Sequence, residues 1–220
     1  MNGDPLRLAP SGTAPKRLVV LLHGYDSEGA AMMPFAEHWR MLLPDAAFWA
    51  PDGPLEAEGG TGRCWSPLRS PRDSRMAAEI AEAGRAVDNL CSEDLARLGL
   101  GLGSLALVGF SQGALVALHA GISGGTFPAA ILGFGGGLVG RALLAGSVRA
   151  RPPVLLVNGT HDSLAPASAL GPAIDGLRDL GLLAEGLAVP GLGHEIDLRA
   201  ADAGGRFLVS AFAYADRAGR

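Results

Sequence analysis

Two serines in this chain stand in a Gly-x-Ser-x-Gly pattern, Ser111 in Gly109-Phe110-Ser111-Gln112-Gly113 and Ser123 in Gly121-Ile122-Ser123-Gly124-Gly125. A serine hydroxyl held in a tight strand-to-helix turn can attack an acyl carbon if a histidine takes its proton and a carboxylate orients that histidine. The pattern alone is weak, because the chain has 33 glycines in 220 residues, and about 0.3 chance matches are expected. Context separates the two. Ser111 follows the β-like run "SLALVGF" and precedes the helical pattern "QGALVALHA". The N-terminus of that helix aims unpaired N–H groups and a positive dipole end at the hydroxyl. Ser123 follows the helix, in "GISGGTF", which reads as a C-terminal cap and loop. Ser111 is therefore the candidate nucleophile.

Its partners should lie in loops after later strands. The run "PPVLLVNGTHD" ends a strand and delivers Asp162; "GLAVPGLGHEI" ends the next and delivers His194. Acid then histidine, both after the serine, is the chain order of α/β-hydrolases. The other histidines fit less well. His161 directly precedes Asp162, and His38 and His119 fall inside helical patterns where a solvated or satisfied ring is expected. His23 ends the first clear strand in "LLHGYDSEG" and reads as support for that loop. Glu195 and Asp197 follow His194 too closely to orient it from across the site. The oxyanion of the tetrahedral intermediate needs donors; the N–H of Gln112 and that of Tyr25, after the Gly24 turn, are placed to supply them.

These residues need a scaffold. Six apolar runs recur at Leu18–Leu22, Ala46–Ala50, Leu105–Phe110, Ala129–Phe134, Val154–Asn158 and Glu185–Val189. Helical patterns alternate with most of them, at Ala30–Leu42, Ser74–Leu98, Gln112–Ile122, Ser168–Leu180 and Ala200–Ala215. In Ser74–Leu98 the residues Ile80, Ala83, Val87, Leu90 and Leu95 form an inward stripe. Alternation of this kind predicts an α/β fold with a mostly parallel sheet of about six to seven strands and helices on both faces. Residues 1–220 read as one domain, with 1–15 an N-terminal extension and 51–72 an irregular loop forming a lid or pocket wall.

Composition narrows the classes. Apolar content of 48% with 18% charge excludes a disordered chain. The net charge is −4, and the arginines that make up nearly all of the basic residues do not cluster, so nucleic acid is not an expected partner. Cys64 and Cys91 belong to no CxxC or Cys/His cluster and read as free thiols, with no metal site. The start "MNGDPLRLAPSG" lacks the order of a signal peptide. Residues 98–140 carry no charge, but Gln112, His119, Pro128 and several glycines break them into short pieces, so they read as core and not as a membrane span. A soluble cytoplasmic protein is expected. A rival reading comes from Gly135-Gly136-Gly137-Leu138-Val139-Gly140, which matches a dinucleotide fingerprint. Four strands precede it, whereas the motif normally opens the first βαβ unit, and Asp162 falls past the strand end.

Together "LLHGYDSEG", "APDGP", "GRCWSPL", "LVGFSQGA", "NGTHDSLAP" and "VPGLGHEI" resemble the phospholipase/carboxylesterase family, small serine esterases related to acyl-protein thioesterases, over about residues 16–215. The resemblance implies an α/β-hydrolase fold and carboxylic ester cleavage through an acyl-enzyme, without cofactor or metal. Thioesters and lysophospholipids are alternative substrates of the same machinery, and a hydrolase-like ligand-binding protein is the non-enzymatic alternative. It implies Ser111, Asp162 and His194 as the triad, Tyr25 and Gln112 as oxyanion donors, Trp65 beside the entrance and Leu164 in the acyl pocket. The partner is a small-molecule acyl ester; monomer and homodimer both stay open. Three stretches depart from the family pattern: Tyr25-Asp26-Ser27 where Leu-Gly-Asp is usual, Trp65-Ser66-Pro67 where Trp-Tyr-Asp or Trp-Phe-Asp is usual, and Asn158-Gly159 where His-Gly is usual. All three touch the pocket rim.

Overall fold

The computed structural model describes residues 6–10, 14–69, 73 and 75–218. Its strands are β1 (Leu6–Leu8), β2 (Arg17–Leu22), β3 (Ala46–Ala50), β4 (Leu55–Glu56), β5 (Arg63–Cys64), β6 (Leu105–Phe110), β7 (Ala130–Phe134), β8 (Val154–Gly159) and β9 (Ala184–Val189). Its helices are α1 (Met33–Trp39), α2 (Arg75–Leu98), α3 (Gln112–Ser123), α4 (Arg141–Ala145), α5 (Leu170–Asp179) and α6 (Leu198–Ala218). The six apolar runs are six of these strands, each within one or two residues of its expected ends. Short 3-10 turns at Gly29–Met32 and Ala167–Ala169 lead into α1 and α5.

Seven strands form one sheet in the order β1-β3-β2-β6-β7-β8-β9. All neighbours are parallel except β1, which pairs antiparallel with β3 through Leu6↔Ala50 and Leu8↔Phe48. Part of the stretch expected as an N-terminal extension is thus an edge strand. Alternate side chains leave opposite faces of the sheet. Leu18, Val20, Leu22, Leu105 and Leu107 pack with the inner stripes of α2, α3 and α5. Val19, Leu21, Ala106 and Val108 pack with α1 and α6. Both faces are covered, which is the condition for near-continuous apolar parallel strands. Among the described residues, no helix is long and apolar enough to cross a membrane.

Local sequence explains the helix ends. After α2, Gly99 takes the left-handed conformation at φ +66°, and the Leu100 N–H donates to the Leu95 carbonyl at 2.9 Å, a glycine C-cap. At the start of α6, Asp197 Oδ1 accepts the N–H of Ala200 at 2.9 Å and so caps the helix. That hydrogen bond, with Arg199, holds the Asp197 carboxyl below its ordinary range.

The chain leaves β2 toward β3 on one side and returns through α2 to β6 on the other. Strand order therefore reverses between β2 and β6, and in open parallel sheets a crevice forms there, beyond the carboxyl ends of the strands. Helix α3 starts from that crevice and lies almost on the strands. A Cβ at Gly113 would sit 2.1 Å from the Leu22 carbonyl oxygen, and one at Gly109 would sit 2.2 Å from that of Gly113. Both neighbours are backbone and cannot step aside. Gly113→Ala should destabilise the protein by about 3 kcal/mol or more, read as a lowered urea midpoint. Gly101→Ala, where a Cβ meets nothing within 4 Å, should leave the midpoint unchanged.

Candidate active site

Ser111 links β6 to α3 at φ 53° and ψ −117°, a conformation rare for a residue with a side chain. Strain of this kind costs roughly 1–3 kcal/mol and persists only where the surroundings impose it. Here the Ser111 N–H donates to the Phe134 carbonyl at 2.8 Å, and the close approaches of Gly109 and Gly113 leave the turn no alternative path. The hydroxyl is thereby lifted off the sheet at the start of α3.

The expected partners converge on it. His194 Nε2 lies 3.0 Å from Ser111 Oγ, and His194 Nδ1 lies 2.7 Å from Asp162 Oδ2. Asp162 is buried, and its other oxygen accepts the N–H groups of Leu164 and Ala165, both at 2.8 Å. An acceptor-only carboxylate facing Nδ1 puts the ring proton on Nδ1 and leaves the Nε2 lone pair for the serine hydroxyl. The His194 ring packs at 4.9 Å from the Phe110 ring, and Gly135, at φ +54°, backs it so closely that a Cβ would lie 3.1 Å from its Cε1.

The two loops that carry Asp162 and His194 are stitched together. The Thr160 N–H donates to the Val189 carbonyl at 3.0 Å, that of His161 to the Leu192 carbonyl at 2.9 Å, and that of Gly191 to Thr160 Oγ1 at 2.8 Å. His161 thus serves through its backbone. Asn158, buried at the end of β8, donates from Nδ2 to the carbonyls of Gly136 at 3.0 Å and Ala165 at 2.9 Å. It ties the acid loop to the loop that backs His194, a role the sequence reading did not anticipate.

The β2 loop closes the other side. A Cβ at Gly24 would sit 3.3 Å from Ser111 Cβ, so the Gly24-Tyr25 turn abuts the nucleophile candidate. His23 is fully buried; Nε2 accepts the Gly53 N–H at 2.8 Å, which places its proton on Nδ1, donated to the Gly24 carbonyl at 2.7 Å. Burial lowers its pKa and keeps it neutral. The Tyr25 hydroxyl accepts the Glu58 N–H at 2.8 Å. Gln112 is buried; its Oε1 accepts the Trp65 N–H at 2.8 Å while Nε2 donates to the Ser66 carbonyl at 2.9 Å and Oγ at 3.0 Å.

Trp65, expected beside the entrance, is only 4% exposed, with its indole N–H on the His23 carbonyl at 2.8 Å. The described part of 51–72 is mostly irregular, with the short β4–β5 pairing inside it, and it is clipped down: Asp26 Oδ1 accepts the N–H groups of Thr61 at 3.0 Å and Gly62 at 2.8 Å, and Ser27 bridges Arg63. Residues 70–72 lie outside the described residues. Leu164 stands 76% exposed on the acid loop.

The remaining candidates are occupied elsewhere. Ser123 Oγ donates to the His119 carbonyl at 2.6 Å. His119 pairs with the Val139 carbonyl at 2.8 Å, and burial lowers its pKa. His38 meets Asp202 at 2.8 Å. In the glycine run 135–140, Gly135 backs His194 and Gly140, at φ +67°, packs on Ala77; the α4 that follows is five residues long. Both cysteines are buried and free, and burial pushes both thiols up. Among the described residues, no group of His, Cys, Asp and Glu could hold a metal ion.

Comparison with known proteins agrees with this architecture. A phospholipase/carboxylesterase family model matches residues 6–208. The crystal structure of esterase PE8 is similar at a TM-score of 0.86 and 34% identity, covering 94% of this chain and 98% of that one. Two plant structures share the fold at lower identity. Acyl-protein thioesterase 2 of Zea mays has a TM-score of 0.74 and 21% identity over 96% of this chain and 99% of its own. SOBER1 of Arabidopsis thaliana has a TM-score of 0.78 and 20% identity over 90% and 98%. An α/β-hydrolase sheet, a family match over most of its length and an esterase neighbour at this identity make the chain a hydrolase, and it belongs to the phospholipase/carboxylesterase family.

Proposed function

We propose that the protein is a serine carboxylesterase acting on short- to medium-chain acyl esters through an acyl-enzyme. The observation that carries the reading is the continuous hydrogen-bonded line from Ser111 through His194 to Asp162, assembled from the ends of β6, β9 and β8. Ser111 Oγ attacks the ester carbonyl as His194 Nε2 takes its proton. The N–H groups of Tyr25 and Gln112 receive the oxyanion. His194 then returns the proton to the departing alkoxide, leaving Ser111 acylated. A water, deprotonated by His194, attacks the acyl carbon and regenerates the serine, releasing the acid. Asp162 holds the ring tautomer and stabilises the imidazolium.

The exposed Leu164 beside the acid, with the clipped hairpin wall, supports a shallow acyl site and so shorter chains. Esterase PE8 is the neighbour that favours an ester over a thioester. The same triad would also cleave thioesters, the reading that acyl-protein thioesterase 2 keeps in view. Two buried free thiols fit a reducing compartment, here the cytoplasm, and residues 1–220 act as one domain.

A panel of p-nitrophenyl esters of rising chain length tests this. Rates should peak at short to medium acyl chains, and Ser111→Ala should lower kcat by at least about 10,000-fold. A fluorophosphonate probe should label Ser111 and spare Ser123, and Ser123→Ala should stay within about 2-fold of wild type. Ester turnover that survives Ser111→Ala would remove the assignment.

Asp162→Asn gives a sharper outcome. With Oδ1 still accepting from Leu164 and Ala165, the new amide would present its NH2 to His194 Nδ1, forcing the proton onto Nε2, where it faces the serine and cannot accept. A fall in kcat of about 10,000-fold with an unchanged melting curve is expected; a fall below 10-fold would show that the tautomer is not set there.

A further inference from the structure

The two proposed oxyanion donors come from different parts of the chain, the Tyr25 N–H from the loop after β2 and the Gln112 N–H from the start of α3. Their mutual spacing decides whether both reach one oxygen, because donors serve only when aimed at the place the oxyanion will occupy. A buried side-chain relay connects them. The Gln112 amide grips residues 65 and 66 with three hydrogen bonds. Trp65 passes the constraint on, its indole N–H donating to the His23 carbonyl at 2.8 Å and its ring lying 5.2 Å from the imidazole. His23 completes it by donating from Nδ1 to the Gly24 carbonyl at 2.7 Å. That carbonyl and the Tyr25 N–H belong to one planar trans peptide unit, so fixing the direction of the oxygen fixes the direction of the N–H.

Resting on the reading of Ser111 as nucleophile, we propose that the side chains of Gln112, Trp65 and His23 are positioning residues that lock the two oxyanion donors at a fixed separation and angle. None of the three side chains touches the reacting atoms. Each is buried and has its hydrogen-bonding groups committed to the relay or to its Gly53 anchor. The hairpin around Trp65 is therefore part of the catalytic geometry and more than a pocket wall.

The test compares p-nitrophenyl acetate with its thionoester, whose sulfur accepts hydrogen bonds poorly and gains little from the donors. Enzyme concentration is set by fluorophosphonate titration, so only competent sites are counted. Trp65→Phe deletes the indole donor and keeps an aromatic filler; Gln112→Met deletes the amide and keeps the backbone N–H. Each should lower kcat for the oxoester by about 10-fold, less than the 100- to 1,000-fold typical of losing a donor outright, with KM within about 2-fold. The thionoester rate should change much less, so the oxo/thiono ratio narrows. Because both act through one relay, the double variant should be no worse than about the worse single variant.

His23 separates positioning from plain packing. His23→Asn can still donate to the Gly24 carbonyl and should keep more kcat than His23→Gln, which reaches toward Gly53 instead. Equal losses on both substrates, additive effects in the double variant, or His23→Gln outperforming His23→Asn would overturn the proposal. If wild type fails to discriminate oxo from thiono, or Ser111→Ala stays active, the underlying assignment fails instead.

Discussion

The whole arrangement depends on how closely α3 approaches the strands beneath it. Gly113 stacks against the Leu22 carbonyl, and Gly109 against the Gly113 carbonyl, at distances where no Cβ fits. Dispersion and main-chain packing at this contact force the chain at Ser111 into a positive φ, and the energy that imposes the strain comes from the buried apolar strands on either side. The hydroxyl projects because the backbone has nowhere else to go. The same contact seats the first turn of α3 over the sheet crevice, so its N–H groups open toward the space above Ser111.

From there the parallel sheet does the rest of the positioning. Every strand from β6 to β9 ends on the same edge, and the pairing registers Leu22↔Gly109, Phe110↔Phe134 and Gly159↔Val189 bring their terminal loops side by side. Asp162 and His194 are 32 residues apart in sequence, yet three main-chain and hydroxyl hydrogen bonds between their loops leave little freedom in their separation. Gly159 is needed for this stitch, since a Cβ there would meet the Leu192 carbonyl at 2.0 Å. The candidate site is preorganised by backbone, with side chains supplying the reactive atoms.

How much of this could be read from the residues follows from physical period and range. The parallel strands are legible because both faces are buried, which makes runs such as Leu105–Phe110 apolar without interruption. The proposed triad is legible because strand ends put Asp162 and His194 in a fixed chain order after Ser111. Strand β1 is not, because Leu-Arg-Leu is three residues long and mostly exposed, too short for any period to show. The β4–β5 hairpin is hidden for a related reason: its order comes from Asp26, some 35 residues away, and from no pattern of its own. The work of the Gln112 and Asn158 side chains is also long-range, and an amide looks the same in sequence whether it faces water or three buried partners.

The three departures from the family pattern now have a common physical meaning. Asp26, at φ 55°, folds back to accept from the hairpin; Trp65 and Ser66 are gripped by Gln112; Asn158 ties the acid loop to Gly136. All are bracing positions, one step removed from the reacting atoms. Bracing can be rebuilt with different hydrogen-bonding groups so long as the braced backbone stays in place, whereas the roles proposed for Ser111, His194 and Asp162 leave those side chains no such substitutes. Wall residues can then change shape while the proposed donors and nucleophile keep their spacing. Under the proposed relay, a change at the buried Trp65 indole would disturb the aim of the proposed oxyanion donors along with the wall it belongs to, because the same residue holds the His23 carbonyl and is itself held by Gln112.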